Sequence, residues 1–212
     1  MTGAIPGRVP PTELVLVRHG ETDWNRDGRI QGLSDIPLND TGRQQAQQAG
    51  ERLAAEHWDA IAASPLARAA ETARIIAGSI GLAQVELVDA LVERNYGEAE
   101  GLTGPEIDAL SGGVVRARET REEVVDRALP ALLALAERHP GQSVLVVSHG
   151  GVIGSLVRSV TRYVWPERGI PIVNGSEHRF RVTAGLLELV EFAGRPWSAD
   201  LLPVDEPLDT VN

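Results

Sequence analysis

The sequence contains no cysteine, which excludes disulfide bonds, thiolate metal sites and catalysis by a cysteine nucleophile. It also lacks an apolar stretch of about 20 residues, the length that a membrane-spanning helix needs. The first twelve residues include Pro6, Pro10 and Pro11 and have no apolar core of the kind found in signal peptides. These absences favour a cytoplasmic protein without a membrane partner, and they predict a loose leader over residues 1–12.

The sequence also has fewer basic than acidic residues. The 212 residues include 30 acidic and 20 basic side chains, so the formal net charge is −10. Such a chain is a poor general partner for nucleic acid or for an anionic membrane surface, because both repel it. If the ligand is a small anion, a local cluster of arginines must overcome this unfavourable field. With 42% hydrophobic residues, the chain is long enough for one domain with a substantial core.

Two apolar segments end in the same way. Residues 14–17 read LVLV and lead to His19, and residues 144–147 read VLVV and lead to His149; a glycine follows each histidine. Short runs of this composition are typical of buried parallel strands. The carboxyl ends of such strands build the binding crevices of open α/β sheets. The sequence therefore predicts two imidazoles at one edge of one sheet.

Helical and strand patterns alternate along the chain. This alternation predicts an α/β fold, a three-layer α/β/α sandwich around a mostly parallel central sheet. One domain is expected over residues 13–193, followed by an irregular C-terminal tail over residues 194–212.

Local signals predict several boundaries. Ser64 and Pro65 are expected to start a helix, as its N-cap and its first residue. Residues 91–110, which are rich in glycine, are expected to form a loop. Thr120 to Glu123 fits a capping box before a helix. A closing hairpin is expected around Gly185.

Five short motifs resemble those of the histidine phosphatase superfamily, also called the phosphoglycerate mutase-like family, and follow one another in the family's order. They are RHGET at 18–22, GRIQG at 28–32, SPLARAAET at 64–72, ERNYG at 93–97 and SHGG at 148–151. Each motif alone is weak, but the ordered set is specific, and the resemblance extends over residues 14–192. It implies a phosphoglycerate mutase-like fold and an enzyme that acts on phosphomonoesters.

The resemblance implies three catalytic residues. His19 would attack phosphorus and become a phosphohistidine, which divides one difficult hydrolysis into two easier steps. Glu93 would protonate the leaving oxygen and then deprotonate the attacking water. His149 would donate to the oxygens of the transferring group, together with the guanidinium groups of Arg18 and Arg68.

Six further matched positions would contact the substrate: Asn25, Gln31, Gly32, Arg94, Tyr96 and Gly150. Asn25 and Gln31 are expected as neutral contacts at the rim of the pocket, whereas Arg94 and Tyr96 could hold a substrate carboxylate. The sequence contains no metal-ligand spacing. Two arginines and an imidazole would supply the positive field, so neither a metal nor a cofactor is expected.

The resemblance leaves the phosphoryl acceptor open. A phosphatase transfers the group to water, whereas a 2,3-bisphosphoglycerate-dependent phosphoglycerate mutase transfers it to a hydroxyl group of a small substrate. Mutases carry a lysine beyond the Glu-Arg-x-Tyr motif and then two adjacent arginines in a long insert. Here no lysine follows Gly101, and Arg116 and Arg118 are not adjacent.

These departures favour a metal-independent phosphomonoester hydrolase whose partner is a small phosphorylated metabolite. The mutase remains the alternative because Arg94 and Tyr96 match its motif. A non-catalytic phosphate-binding module is a third alternative, although such a module has no chemical need for His19, Glu93 and His149 together. An edge strand or a helix could also support a homodimer.

Overall fold

The computed structural model describes residues 10–110, 115–166 and 170–198. The strands in these residues are Thr12–Arg18 (β1), Ala60–Ala63 (β2), Glu86–Leu87 (β3), Ser143–Ser148 (β4), Glu177–Thr183 (β5), Leu186–Phe192 (β6) and Arg195–Pro196 (β7). They form one sheet in the order β3-β2-β4-β1-β5-β6-β7. Residues 1–9 of the predicted leader and residues 199–212 of the predicted tail lie outside the described residues.

The helices lie between these strands. They are Asp23–Arg26 (α1), Asp40–Leu53 (α2), Ala67–Ile80 (α3), Gly104–Ala109 (α4), Arg121–Arg138 (α5) and Gly150–Val160 (α6), with short 3₁₀ helices at Asp89–Leu91 and Gly97–Ala99. Among the described residues, no helix is long and apolar enough to cross a membrane.

The sheet is mixed, with its parallel part at the centre of the fold. Strand β4 pairs in parallel with both β1 and β2, and β2 pairs in parallel with β3. Strands β5, β6 and β7 continue the other edge in antiparallel pairs. The predicted α/β fold with a mostly parallel core is confirmed, and so is the hairpin around Gly185, which joins β5 to β6.

The two faces of the sheet bury two separate cores. Successive side chains of a strand point to opposite faces. Val15 and Val17 of β1 therefore pack in the cluster that includes side chains of α2 and α3. Leu14 and Leu16 of the same strand pack in the cluster formed with α5 and α6. All four side chains are fully buried, which explains the uninterrupted apolar run of β1.

The helix after β2 begins later than the sequence predicts. Its N-cap position is Leu66, which makes no side-chain capping bond. The Asp35 carboxylate instead accepts a hydrogen bond from the N–H of Ala67 at 2.7 Å. The prediction that Ser64 caps this helix is wrong because the helix begins at Ala67, so the Ser64 hydroxyl, which accepts from the N–H of Leu66, lies before its first turn.

Residues 91–110 are more ordered than predicted. They contain α4, whose capping box joins Thr103 to Glu106. Pro105 lies in the first turn of this helix, where a missing N–H costs nothing. The capping box at Thr120 is confirmed, since its hydroxyl accepts from the N–H of Glu123 and its N–H donates to the Glu123 carboxylate.

The start of the predicted tail extends the sheet. Residues Arg195–Pro196 form β7 against β6, and the N–H of Trp197 donates to the Val190 carbonyl at 2.8 Å. The Trp197 ring contacts the Trp165 ring edge-on, with centroids 5.6 Å apart.

The close contact of α2 with α3 yields a stability prediction. A Cβ at Gly50 would lie 2.7 Å from Cβ of Ser79, so we expect Gly50→Ala to force the helices apart and lower the free energy of unfolding by about 1–3 kcal/mol. Gly78 is the matched control, because it lies inside α3 with open space around it. There we expect Gly78→Ala to raise the free energy of unfolding by about 0.5–1 kcal/mol. Urea unfolding measures both, and effects of the same sign would contradict this packing.

Candidate active site

The two histidines that end β1 and β4 lie side by side. Strands β1 and β4 are parallel neighbours with Arg18 paired to Ser148, and the N–H of His19 donates to the Ser148 carbonyl at 3.0 Å. The imidazole rings of His19 and His149 are 5.1 Å apart between centroids. The register of two adjacent strands thus brings together the two imidazoles that the sequence places at one sheet edge.

A backbone contact fixes the protonation of His19. Its Nδ1 lies 2.6 Å from the Gly20 carbonyl oxygen, which can only accept, so the ring proton is on Nδ1. Burial lowers the pKa of His19 well below 6.5, and the guanidinium groups of Arg18 and Arg68 lower it further. The imidazole is therefore neutral, and Nε2 carries a free lone pair.

The turn that follows His19 is held from two helices. The N–H of Gly20 donates to the hydroxyl of Thr72 on α3 at 3.1 Å. On the other side, the backbone of Gly42 on α2 comes so close that a Cβ at Gly20 would overlap its carbonyl. Asn174 adds a third contact, because its amide donates to the His19 carbonyl at 2.9 Å. Sequence reasoning did not identify Thr72 or Asn174.

Arg18 and Arg68 present buried donors to this position. Arg18 donates through Nη1 to the Ile172 carbonyl. Arg68, fully buried, donates through Nη1 and Nη2 to the carbonyls of Ser34 and Gly32. The Nε atoms of both arginines are buried without a partner among the described residues. Backbone carbonyls therefore orient two guanidinium groups and leave other N–H groups of each, including Nε–H, to meet an anion.

Gly32 lines the cleft and also helps to orient Arg68. Its carbonyl accepts from Arg68 at 2.8 Å, and its φ of +54° is a conformation that favours glycine. A Cβ there would overlap the Glu100 carboxylate. That carboxylate accepts hydrogen bonds from the backbone N–H groups of Leu33 and Ser34, so Glu100 holds the segment that anchors Arg68.

His149 is also neutral. Burial lowers its pKa well below 6.5, and the nearby Arg68 lowers it further. The hydroxyl of Ser64 lies 2.8 Å from Nε2 and already accepts the N–H of Leu66, so its own proton is free to be donated to Nε2. In the tautomer in which Ser64 donates, the ring proton resides on Nδ1, which is buried without a partner among the described residues. In that tautomer His149 is a neutral donor.

Glu93, the first residue of the ERNYG motif, reaches the site through its side chain. Its carboxylate accepts from the N–H of Arg94 at 2.7 Å and from the N–H of Gly151 at 3.1 Å. A Cβ at Gly151 would overlap this carboxylate, so the glycine permits the approach. Arg127 holds the segment from behind by donating to the Glu93 carbonyl and pairing with Glu119. Sequence reasoning missed both residues of that pair.

The neutral rim residues are oriented by their oxygens. The amide oxygen of Gln31 accepts from the hydroxyl of Thr22 at 2.8 Å. That of Asn25 accepts from the N–H of Thr22 at 3.2 Å and from the Asn174 amide at 3.3 Å. The amide nitrogens of Asn25 and Gln31 are therefore the groups that each side chain can offer to a ligand in the cleft.

Arg94 and Tyr96 occupy different positions. Tyr96 lines the cleft, and burial raises the pKa of its phenol, with Glu93 adding to the effect. Arg94 donates through Nε to the Glu119 carbonyl, and its guanidinium carbon lies 5.4 Å from the Tyr96 ring centre. Arg94 thus supports Tyr96 and is not among the described residues that line the cleft.

These groups surround one cleft of about 290 Å³. The sequence-predicted residues on its surface are Arg18, His19, Asn25, Gln31, Gly32, Glu93, Tyr96 and Gly150. Arg68 and His149 lie beneath this surface and are fully buried. The arrangement can place an anion between a nucleophilic nitrogen, several fixed donors and a carboxyl group.

Comparison with known proteins agrees with this geometry. The family model of the histidine phosphatase superfamily (branch 1) matches residues 14–193. The chain is 38% identical to the uncharacterized phosphatase PhoE of Bacillus subtilis strain 168 over 187 residues, 88% of this chain and 91% of that protein. It is 34% identical to the probable phosphoglycerate mutase GpmB of Cronobacter sakazakii over 198 residues, 88% of each.

A solved structure shares the fold. A mycobacterial glucosyl-3-phosphoglycerate phosphatase in complex with VO₃ superposes with a TM-score of 0.72 at 31% identity, over 79% of this chain and 90% of that one. The relatives and the family are of the phosphatase and mutase type. The chain belongs to branch 1 of the histidine phosphatase superfamily.

Proposed function

We propose that the protein is a metal-independent phosphomonoester hydrolase that acts through a phosphohistidine on a small phosphorylated metabolite. The observation that carries this proposal is the neutral His19, which is close enough to Arg18 and Arg68 for both guanidinium groups to lower its pKa and whose ring centre lies 5.1 Å from that of His149. A nucleophile surrounded by positive and neutral donors suits an attack on a dianionic phosphate.

In the first half of the reaction, Nε2 of His19 forms a bond to phosphorus and the bond from phosphorus to the ester oxygen breaks. Charge on the three equatorial oxygens is met by donors of Arg18, Arg68 and His149, whose positions are fixed before the reaction. Glu93, in its protonated form, gives its proton to the departing oxygen, so that an alcohol leaves instead of an alkoxide.

In the second half, the same carboxylate works in the opposite direction. Glu93 takes a proton from a water molecule, whose oxygen attacks phosphorus while the bond to Nε2 of His19 breaks. Inorganic phosphate leaves, and the neutral imidazole and protonated Glu93 are restored. Two backbone N–H groups hold the carboxylate, which keeps it in place for both transfers.

Two features favour water over a second hydroxyl group as the acceptor. The sequence contains no lysine at all, so the mutase lysine has no counterpart anywhere in the chain. Arg94, which matches the mutase motif, is engaged with Glu119 and the Tyr96 ring. The relatives include proteins of both names, so the acceptor must be measured.

We expect inorganic phosphate to accumulate when the protein is incubated with 3-phosphoglycerate and a trace of 2,3-bisphosphoglycerate, because water is the acceptor. A phosphorus NMR time course distinguishes the products. Accumulation of 2-phosphoglycerate would contradict the hydrolase and show that the protein is a mutase. Ligand binding without turnover of this or any other phosphomonoester would favour the binding module.

Two histidine variants test the covalent mechanism, one at the proposed nucleophile and one as a control. His19→Ala should lower turnover by roughly 10³-fold or more and should form no acid-labile, base-stable phosphoenzyme, since the nucleophile is gone. His57→Ala removes an 85% exposed imidazole and should change neither. Substantial residual turnover in His19→Ala would exclude the covalent mechanism.

Glu93→Gln should slow the reaction of substrates with poor leaving groups much more than that of substrates with good ones. We expect the first turnover of an alkyl phosphate to slow by about 10²–10⁴-fold because its oxygen needs a proton. The first turnover of p-nitrophenyl phosphate should survive, because p-nitrophenolate leaves without help. Rapid-quench kinetics measures both, with Glu98→Gln as an exposed control directly after the same motif. Equal losses on the two substrates would rule out Glu93 as the acid.

A further inference from the structure

A second pair of cations faces the cleft beyond Tyr96. Arg121, the first residue of α5, and Arg158, in the last turn of α6, both line it. A Cβ at Gly154 would lie 3.9 Å from Nη1 of Arg121 and 3.4 Å from Nη1 of Arg158. Two guanidinium groups from different helices therefore converge over one glycine of the cleft wall.

Neither guanidinium is paired with a carboxylate. Arg158 donates to the Gly154 carbonyl at 3.2 Å. Across the described ranges, no acidic oxygen lies within 4 Å of Arg121 or Arg158. The Glu122 carboxylate, next to Arg121 in the chain, accepts the hydroxyl proton of Tyr163 instead. The pair therefore keeps its positive charge.

This arrangement costs stability in the absence of an anion. Burial lowers the pKa of Arg158, and the neighbouring Arg121 lowers it further, as expected for like charges held together. Arg121 also occupies the first turn of α5, where the helix dipole disfavours a positive charge. Two like charges held together at the cleft, one of them in an unfavourable helix position and neither with a carboxylate partner among the described residues, point to an anionic ligand.

The spacing along α6 relates this pair to the reacting phosphate. A Cβ at Gly150 would lie 3.5 Å from Nε of Arg18, and Gly154 stands one helical turn further on. Four residues of helix advance by about 6 Å. Gly150, Gly151 and Gly154 line the cleft between the two cationic positions, so bare backbone leaves room for a short substrate.

We propose that Arg121 and Arg158 form a subsite for a second anionic group of the substrate, a carboxylate or a phosphate, about 6 Å along α6 from the reacting phosphate. This inference rests on the proposed hydrolase and narrows its substrates. The preferred metabolite is a short phosphomonoester with an anion at its other end. Arg121 and Arg158 lie outside the five motifs, so the resemblance to the family did not assign them a role.

A matched pair of substrates tests the subsite. 3-Phosphoglycerate and glycerol 3-phosphate differ in that a carboxylate replaces a hydroxymethyl group. We expect kcat/KM to favour 3-phosphoglycerate, and we expect Arg121→Gln or Arg158→Gln to lower kcat/KM for it by about tenfold, the loss typical of a charge-assisted hydrogen bond. Glycerol 3-phosphate should be hydrolysed by these variants at the wild-type rate.

Glycerol 1,3-bisphosphate identifies the anion. If the two variants lower kcat/KM more for glycerol 1,3-bisphosphate than for 3-phosphoglycerate, the subsite takes a phosphate. If they lower kcat/KM more for 3-phosphoglycerate, the subsite takes a carboxylate. Arg74→Gln, an exposed arginine of α3, is the matched control for loss of one charge and should leave all three substrates unaffected. An equal loss on glycerol 3-phosphate in the subsite variants would overturn the proposal.

Failure of the subsite can be told from failure of the hydrolase. Calorimetric binding of 3-phosphoglycerate and glycerol 3-phosphate requires no turnover. If wild-type protein hydrolyses neither compound, nor p-nitrophenyl phosphate, but binds 3-phosphoglycerate more tightly than glycerol 3-phosphate, with the preference lost in Arg158→Gln, the hydrolase fails and the subsite stands. Hydrolysis of both compounds with equal kcat/KM would retain the hydrolase and remove the subsite.

Discussion

The hydrogen bond from Nδ1 of His19 to the Gly20 carbonyl governs the rest of the site. It places the ring proton on Nδ1 and leaves the lone pair of Nε2 free. Burial and two adjacent guanidinium groups keep a second proton away. The turn that supplies the carbonyl can form only because Gly20 and Gly42 touch through their backbones. Helix α2 and helix α3 thus fix the orientation of the His19 imidazole by holding one peptide group.

The cations of the site are held by dipoles instead of opposite charges. Arg68 is anchored by the carbonyls of Gly32 and Ser34, and Arg18 by that of Ile172. A carboxylate in the same place would orient a guanidinium equally well but would cancel the field that the phosphate needs. Carbonyl anchors leave the charge intact. In a chain with a net charge of −10, this local arrangement makes binding of a dianion feasible. Arg121 and Arg158, which have no carboxylate partner among the described residues, add positive charge further along the cleft.

The sequence predicts the parts of this protein that depend on local pattern. Apolar runs locate β1 and β4, and their parallel pairing then places His19 beside His149. The motifs bring Glu93 to the same cleft. What sequence could not supply depends on partners distant in the chain. Asp35, about 30 residues earlier in the chain, caps the helix that Ser64 was expected to cap, and Ser64 instead contacts His149. Thr72, Arg127 and Asn174 act through contacts that no local spacing reveals, and Arg94 faces Tyr96 instead of the cleft.

The protonation state of His19 is the central claim, and nitrogen-15 NMR of the imidazoles tests it most directly. At pH 5.5 an ordinary histidine is mostly charged. The account predicts that His19, assigned by comparison with His19→Ala, remains neutral at this pH with its proton on Nδ1 and with Nε2 unprotonated. A ring that titrates near pH 6.5, or a neutral ring with its proton on Nε2, would contradict the account, because neither would present a lone pair to phosphorus.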